Sequence, residues 1–222
     1  MEPLIYGSIF FNWKTILLKI LGRATSANVQ KVLWLCEEEG IEYEHDNEIG
    51  GAFGRNDTKE YLLMNPNGKV PTIIDDGFVM WESNSAIRYI ARKYKSELYP
   101  PDLRARNLVE RWMDWELSVL APHQGTVMVG IVRTLPEDRD EEKIETSRLA
   151  WIKGMKILDD QLGKTRFVAG EKFSLADIPL GPITHRFFNL DIERPELSNL
   201  WNWYERLADR PSVKKWVLIE MA

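Results

Sequence analysis

The residues best placed for chemistry are Glu82 and Ser83, where a predicted strand runs into a predicted helix. Backbone N–H groups at the start of a helix lack intrahelical partners and carry the positive end of the helix dipole. Such a corner attracts negative charge, so the junction predicts an anion site. The alternative interpretation is an ordinary edge hairpin followed by a helix that Ser83 merely caps.

A proline-led hairpin is predicted to position this junction. β-branched residues surround Pro71, which cannot donate to a strand ladder and therefore belongs at the start or edge of a strand. The tripeptide at 75–77 ends in glycine and suits a hairpin turn, and 78–80 form the returning strand. After Ser83 the apolar period becomes helical, with one face made of Ala86, Ile87, Ile90, Ala91 and Tyr94.

Upstream of the hairpin, the pattern predicts a β–α–β unit. An apolar run at 15–21 indicates a buried strand, and the hydroxyls of Thr25 and Ser26 then offer helix caps. The following helix has its apolar face at Val29, Val32, Leu33 and Cys36 and ends at Gly40. A second strand is expected at 41–45. Residues 47–64, which include the sequence GGAFG, are interpreted as a long, partly helical loop.

Beyond a proline-containing linker, the chain is predicted to be all-helical. The predicted fold is an α+β domain with the order βαβ–ββα at residues 1–94, a linker at 95–103 and a helical domain at 104–222. Residues 1–13 are an N-terminal extension without a clear pattern. Three helix faces support the second domain: Leu108, Trp112, Trp115 and Val119; Ile144, Arg148, Trp151, Met155, Leu158 and Leu162; and Leu197, Leu200, Trp201, Tyr204 and Leu207.

Composition limits the compartment and the class of partner. The net charge of −5 argues against nucleic acid or an anionic membrane, since both favour basic patches. One cysteine, Cys36, excludes a disulfide framework and is expected to be inert core. No apolar run has transmembrane length, and the first residues lack the positive charge of a signal peptide. We therefore expect a cytoplasmic protein.

Three stretches of the chain, NPNGKVPT, WESNSAI and FVAGEKFSLADI, resemble the cytosolic glutathione transferases of bacteria and fungi. The resemblance spans nearly the whole chain from about residue 15. It implies a thioredoxin-fold N-terminal domain in which the bond before Pro71 is cis and the backbone of Val70 pairs with glutathione. It also implies a homodimer that acts in detoxification.

The resemblance further implies a serine-type site for the glutathione thiol. Ser26 matches the residue that stabilises the thiolate, Asn28 matches an assisting asparagine, and Thr25 is the alternative hydroxyl. A free thiol has a pKa near 8.5, and lowering it by about two units requires about 2.7 kcal/mol. A hydroxyl donor and a helix N-terminus together supply energy of that order. A role as a simple helix cap stays open for both hydroxyls.

The remaining glutathione contacts are carried over in the same way. Ser83 and the adjacent backbone N–H should bind the γ-glutamyl carboxylate, while Glu82 pairs with the ammonium group; an acid beside an anion suits this zwitterion better than phosphate. Lys69 matches a contact to the glycyl carboxylate, although a solvated loop lysine is the alternative. Gly68 stands where some relatives have a histidine, so that donor is absent.

The second substrate is the least determined part of the prediction. The candidate pocket residues are Trp112, Trp115 and Arg133, although aromatic residues at helical spacing usually belong to the core. We expect a small hydrophobic electrophile or a peroxide, with glutathione as cosubstrate and neither a cofactor nor a metal. Two alternatives stay open: a non-catalytic binding module, and a glutathione-dependent lyase or oxidoreductase on the same fold.

Overall fold

The computed structural model describes residues 18–221. The predicted extension at 1–13 and the predicted first three residues of the opening strand therefore lie outside the described residues. No helix in the described range is long and apolar enough to cross a membrane.

The first half of the described chain forms a four-stranded sheet with helices. The predicted order βαβ–ββα is confirmed. The stretch 47–64, predicted to be a partly helical loop, contains a 3₁₀ turn at Gly51–Phe53 and one short helix. The elements are β1 (Leu18–Leu21), α1 (Ala27–Glu38), β2 (Glu44–Asp46), α2 (Lys59–Met64), β3 (Thr72–Asp75), β4 (Phe78–Trp81) and α3 (Ser83–Lys93).

The sheet brings the loop after β1 beside the segment before β3. Its strand order is β2–β1–β3–β4, with β1 parallel to β2 and the other neighbours antiparallel. The last residue of β1, Leu21, lies opposite the first residue of β3, Thr72. The residues that follow β1 and those that precede β3 therefore meet at one edge of the sheet, where α1 also begins.

The second half is all-helical, as predicted. A 3₁₀ turn at Pro136–Asp138 interrupts the sequence of helices. The last helix begins at Pro211, because proline suits the first helical position. The elements are α4 (Leu103–Trp115), a π-helical turn (Glu116–Leu120), α5 (Ala121–Met128), a second π-helical turn (Val129–Arg133), α6 (Glu141–Leu162), α7 (Asp177–Asn189), α8 (Ser198–Ala208) and α9 (Pro211–Trp216).

Three predicted helix faces are partly wrong. On α3, Tyr94 is 36% exposed and lies just beyond the last helical residue. On α4, Leu108 is 40% exposed while its neighbour Val109 is buried, so the buried face is displaced by one residue. On α8, Trp201 is 42% exposed, and Trp203 is the buried tryptophan. On α4 and α8, Leu108 and Trp201 match the spacing of the apolar residues but face solvent. Such matches occur because apolar residues also make up much of a protein surface.

Helix α1 joins the two halves of the fold. Its Trp34 is fully buried and stacks on Phe173, with the ring centroids 5.8 Å apart. Gly181 of α7 permits this approach, because a Cβ at that position would lie 2.5 Å from the Trp34 ring. The second half of α1 is thereby packed against the helical domain.

Candidate functional site

The loop before α1 is held by the residues that follow β2. The Gly22 N–H donates to the Asp46 carbonyl at 3.0 Å, and the Arg23 N–H donates to the Ile49 carbonyl at 2.9 Å. Ala24 donates its N–H to the Asn47 side-chain oxygen at 2.6 Å. These bonds fix the backbone that presents the two hydroxyl residues at the start of α1.

Thr25 and Ser26 differ in how their polar groups are used. The Thr25 hydroxyl accepts a hydrogen bond from the Arg23 guanidinium at 2.5 Å, and its carbonyl accepts one from Arg186 at 2.9 Å. Ser26 occupies the N-cap position of α1 with extended dihedral angles, yet its side chain makes no capping hydrogen bond. The simple cap role is therefore absent for Ser26, and its hydroxyl borders a cavity at the helix start.

A side-chain hydrogen bond joins the starts of α1 and α3. The Ser83 hydroxyl donates to the Asn28 side-chain oxygen at 3.2 Å, with Ser83 buried and Asn28 exposed. Glu82, just before α3, is exposed and has a φ of 68°, a conformation that is uncommon outside glycine and is often retained at functional sites. The structure thus brings the predicted thiol corner and the predicted anion corner together.

The segment 69–72 is held by a small polar network that the sequence reasoning missed. The carbonyl of Lys69 accepts hydrogen bonds from the Tyr61 hydroxyl and the Asn65 side chain, both at 2.7 Å. The Thr72 hydroxyl donates to the Tyr61 oxygen at 2.8 Å. Asn65 opens the stretch NPNGKVPT, which was its only signal in the sequence. The network positions the exposed Lys69 and the following bond before Pro71, which is cis, as the resemblance implied.

The GGAFG loop packs against this segment. A Cβ at Gly50 would lie 3.0 Å from the Val70 side chain, and one at Gly51 would lie 2.5 Å from Nε of Arg23. Both glycines also have positive φ angles, of 85° and 62°. Their lack of side chains therefore lets the loop close over Val70 and the residues before α1, a role that the sequence left open.

A cavity of about 230 Å³ lies between the start of α1 and the helical domain. Of the three residues predicted for the second-substrate pocket, Arg133 borders it, but Trp112 and Trp115 do not. Trp112 is buried in the core, with its ring edge-on to Trp115 at 5.0 Å. The described lining residues are Arg23, Thr25, Ser26, Ala27, Asn28, Glu116, Ala121, Gln124, Gly125, Met128, Val129, Arg133, Ile183 and Arg186.

Arg186 is a buried cation on this cavity that the sequence reasoning missed. Its guanidinium donates to the Gln30 side chain at 3.0 Å and to the Thr25 carbonyl at 2.9 Å, so it ties α7 to the loop before α1. Burial, with the charges of Arg23 and Arg133 acting in the same direction, lowers its pKa to about 10. At neutral pH Arg186 stays charged.

Glu116, the carboxylate that borders the cavity, is neutralised by an ion pair with Lys31. The Lys31 Nζ atom lies 3.0 Å from Oε2 of Glu116, and both side chains are almost fully buried. The Asn84 amide also donates to Glu116 at 3.0 Å and to the Met113 carbonyl at 2.8 Å. This network joins α1 and α3 to the helical domain.

The one cysteine in residues 18–221 does not border the cavity. Cys36 is buried on α1, and desolvation, with a contribution from Glu37, raises the pKa of its thiol to about 12. Within the same range, no group of three or more histidine, cysteine, aspartate or glutamate side chains is arranged to hold a metal ion.

Comparison with known proteins agrees with this geometry. The family model "Glutathione S-transferase, N-terminal domain" matches residues 25–93, and "Glutathione S-transferase, C-terminal domain" matches residues 141–206. The chain is 36% identical over 209 residues to the glutathione S-transferase GstB of Escherichia coli, covering 93% of this chain and all of that protein. It is 31% identical to the glutathione S-transferase F12 of Arabidopsis thaliana, over 92% of this chain and 99% of that one.

Among solved structures, the chain is similar to the theta class glutathione S-transferase of Xanthomonas axonopodis pv. citri, crystallised with glutathione bound. The TM-score is 0.90 at 40% sequence identity, and the match covers 94% of this chain and all of the other. The four-stranded sheet followed by helices is accordingly a thioredoxin-like domain with a helical C-terminal domain. The chain belongs to the glutathione S-transferase family.

Proposed function

We propose that the protein binds glutathione across the starts of α1 and α3 and activates its thiol as a thiolate, which attacks an electrophilic carbon or reduces a peroxide. The observation that carries this proposal is the 3.2 Å hydrogen bond between Ser83 and Asn28, beside the cis bond that precedes Pro71. One edge of the sheet thus presents the N-termini of two helices and the backbone before Pro71, which is not paired with a neighbouring strand. All three lie within the span of a small peptide.

In the proposed complex, the γ-glutamyl end binds at α3. The Ser83 hydroxyl and the first N–H groups of the helix donate to the carboxylate, and Glu82 accepts from the ammonium group. A serine hydroxyl donates one hydrogen bond. The glutathione carboxylate would therefore replace the Asn28 side-chain oxygen as the acceptor of the Ser83 hydroxyl. The backbone of Val70 pairs with the peptide, and Lys69 reaches the glycyl carboxylate.

The thiol is proposed to lie at the start of α1. Ser26, whose hydroxyl makes no capping hydrogen bond, donates to the sulfur, and the helix dipole stabilises the negative charge. Asn28 assists in this stabilisation. A fall of about two units in the thiol pKa requires the thiolate to be stabilised over the thiol by about 2.7 kcal/mol. The thiol proton leaves to solvent. The sulfur then bonds to the electrophilic carbon while the leaving group departs with its electron pair.

We further propose that the protein is a cytoplasmic homodimer that acts in detoxification, as its family membership suggests. No cofactor takes part, since glutathione itself supplies the nucleophile.

The test is glutathione binding by calorimetry, with the pH dependence of thiolate absorbance measured on the same complex. We expect binding and a thiol pKa well below 8.5. Binding without a shifted pKa would leave a glutathione-binding module and contradict catalysis through Ser26. No binding would overturn the proposed function and leave only the fold.

A further inference from the structure

Helix α5 and the π-helical turn after it separate two cavities. The first cavity is the one of about 230 Å³ beside Ser26, and the second cavity, of about 390 Å³, lies toward the start of α6. Among the described lining residues, Gly125 and Val129 border both cavities. The described residues that line the second cavity are Gly125, Thr126, Val129, Gly130, Thr134, Asp138, Asp140, Lys143 and Ile144.

The boundary between the two cavities is a single ridge of helix. Gly125 and Val129 are four residues apart and therefore lie on the same helix face. Gln124, one residue before Gly125, borders only the first cavity, and Thr126, one residue after it, borders only the second. Because Gly125 has no side chain, the ridge is lowest at that position, and only backbone separates the two cavities there.

Packing does not explain why a glycine stands at this position. A Cβ at Gly154 of α6 would overlap Leu120, and that glycine lets two helices approach. The same holds for Gly181 of α7, where a Cβ would lie 2.5 Å from the Trp34 ring. A Cβ at Gly125 would instead meet no described atom within 4 Å beyond its chain neighbours and its own helix backbone. Glycine is a poorer helix former than alanine, so its place between two cavities points to room for a ligand.

The volumes and the polar groups of the two cavities indicate what such a ligand would be. Sites for drug-sized ligands have volumes of roughly 300–1,000 Å³, so the first cavity alone suits only a compact reacting group. On the far side of the ridge, the hydroxyls of Thr126 and Thr134 donate to backbone carbonyls at 3.1 and 2.9 Å, so their donors are used. Val129 is 48% exposed and offers apolar surface on the ridge itself. A chain that crosses the ridge should therefore be apolar.

We propose that the second substrate is an elongated electrophile, whose reacting carbon lies in the first cavity and whose apolar tail crosses Gly125 into the second cavity. This inference rests on the proposed function, and it narrows the small hydrophobic electrophile expected from the sequence to one with a tail of several carbons. Gly125 is then a specificity-determining residue, because a side chain there would close the passage between the cavities.

A series of S-alkylglutathiones tests the position of the tail, because each compound is a stable analogue of the conjugate with an alkyl chain on the sulfur. S-methyl-, S-butyl- and S-octylglutathione are titrated by calorimetry into the wild type and the variants. For the wild type we expect one ligand per chain and an affinity that rises about fourfold for each methylene group that a longer chain buries. The methyl compound ends in the first cavity and reports on the glutathione site.

Two variants at Gly125 test the passage. Gly125→Leu should weaken the binding of S-octylglutathione by about tenfold or more, because several methylene groups lose their burial, while the affinity for S-methylglutathione should change by less than about twofold. Gly125→Ala should weaken S-octylglutathione less and should raise the unfolding midpoint, since alanine is the better helix former and its Cβ meets open space. Binding and stability that change in opposite directions would distinguish room for a ligand from a packing role.

Two further variants locate the end of the tail. Thr126→Phe narrows only the second cavity, so it should weaken S-octylglutathione and leave S-methylglutathione unchanged. Ser118→Leu adds bulk at an exposed position that borders neither cavity, and it should change neither affinity. Gly125→Ala and Thr126→Phe decide the question if Gly125→Leu does not fold.

The possible failures point to different parts of the proposal. Equal wild-type affinities for the methyl and octyl compounds, with glutathione bound, would overturn the elongated substrate and leave the glutathione site intact. A loss of S-octylglutathione affinity in the Gly125 variants without any loss in Thr126→Phe would confine the tail to the first cavity and also overturn it. A wild type that binds neither glutathione nor S-methylglutathione would overturn the proposed function on which the inference rests.

Discussion

The glutathione corner and the cavity beside it are built in different ways. We use the name glutathione corner for residues 61–83, the main part of the proposed glutathione site. There Tyr61 and Asn65 hold the Lys69 carbonyl through contacts between near neighbours in sequence. The cavity instead collects charged groups that are far apart in the chain. Arg186 reaches the Thr25 carbonyl across 161 residues, and Lys31 reaches Glu116 across 85.

The difference indicates where each kind of specificity resides. The glutathione corner offers backbone groups, a helix N-terminus and short polar side chains, which in the proposed complex would bind glutathione through directional hydrogen bonds. The cavity offers charged side chains from separate elements, so under the proposed function its contacts to the second substrate would depend on how the helices pack. Changes in helix packing should therefore affect the cavity and the overall stability first, and glutathione affinity less.

The largest effect is expected from breaking the ion pair that joins the two halves. Lys31→Met leaves the Glu116 carboxylate buried without its counter-charge, and we expect the free energy of unfolding to fall by about 3–5 kcal/mol. Urea unfolding measures this change. Lys153→Met on the exposed face of α6 is the matched control.

The double variant Lys31→Met with Glu116→Leu separates a buried charge from a general packing defect. Removing both charges together should recover most of the lost stability, since an apolar pair often replaces a buried ion pair at little cost. A double variant that is no more stable than Lys31→Met would contradict this account.

The next effect concerns Ser26, where the two regions meet. Ser26→Ala removes the proposed donor to the thiolate, so kcat should fall by tenfold or more, while the glutathione affinity changes little. Steady-state kinetics with glutathione varied separate these two quantities. An unchanged kcat would transfer the role to Thr25 or Asn28, for which Thr25→Val and Asn28→Ala are the companion variants.

A smaller effect is expected in the glutathione corner itself. Ser83→Ala removes one hydroxyl contact to the γ-glutamyl carboxylate but leaves the helix N–H groups, so the glutathione concentration needed should rise by about tenfold. Because this contact is made in the ground state, kcat should change less than KM. Ser85→Ala, on the exposed side of α3, is the control. A fall in kcat with KM unchanged would contradict the assignment.

The sequence was informative where the structural cause is local. The start of α3 at Ser83, the hairpin turn after Asp75 and the position of Pro71 each follow from the preferences of a few adjacent residues. The period of the hydrophobic residues also predicted α1 and α6, because the buried positions of these helices repeat every three or four residues. Within the glutathione corner, these preferences place Pro71, the hairpin turn and the start of α3. They do not predict the hydrogen bonds by which Tyr61 and Asn65 hold the Lys69 carbonyl.

The cavity could not be predicted because its causes are tertiary. Arg186 lies in a helix that is otherwise largely apolar, and nothing in the residues around it indicates that its partners are Gln30 and Thr25. Trp112 and Trp115 were chosen for their aromatic character, but packing places Trp112 in the core. The packing of α7 across α1 decides which charged side chains face the cavity. A short sequence pattern does not predict that packing.

The smallest effect should come from Cys36, which lies on α1 within the core that both regions share. A pKa raised to about 12 leaves almost no thiolate at pH 8, and burial excludes reagents, so a disulfide reagent should not label the native protein. After denaturation it should titrate the chain's one thiol. Labelling of the native protein at the rate of a free cysteine would show that α1 opens readily. The shared core would then be too mobile to hold Ser26 between the two regions.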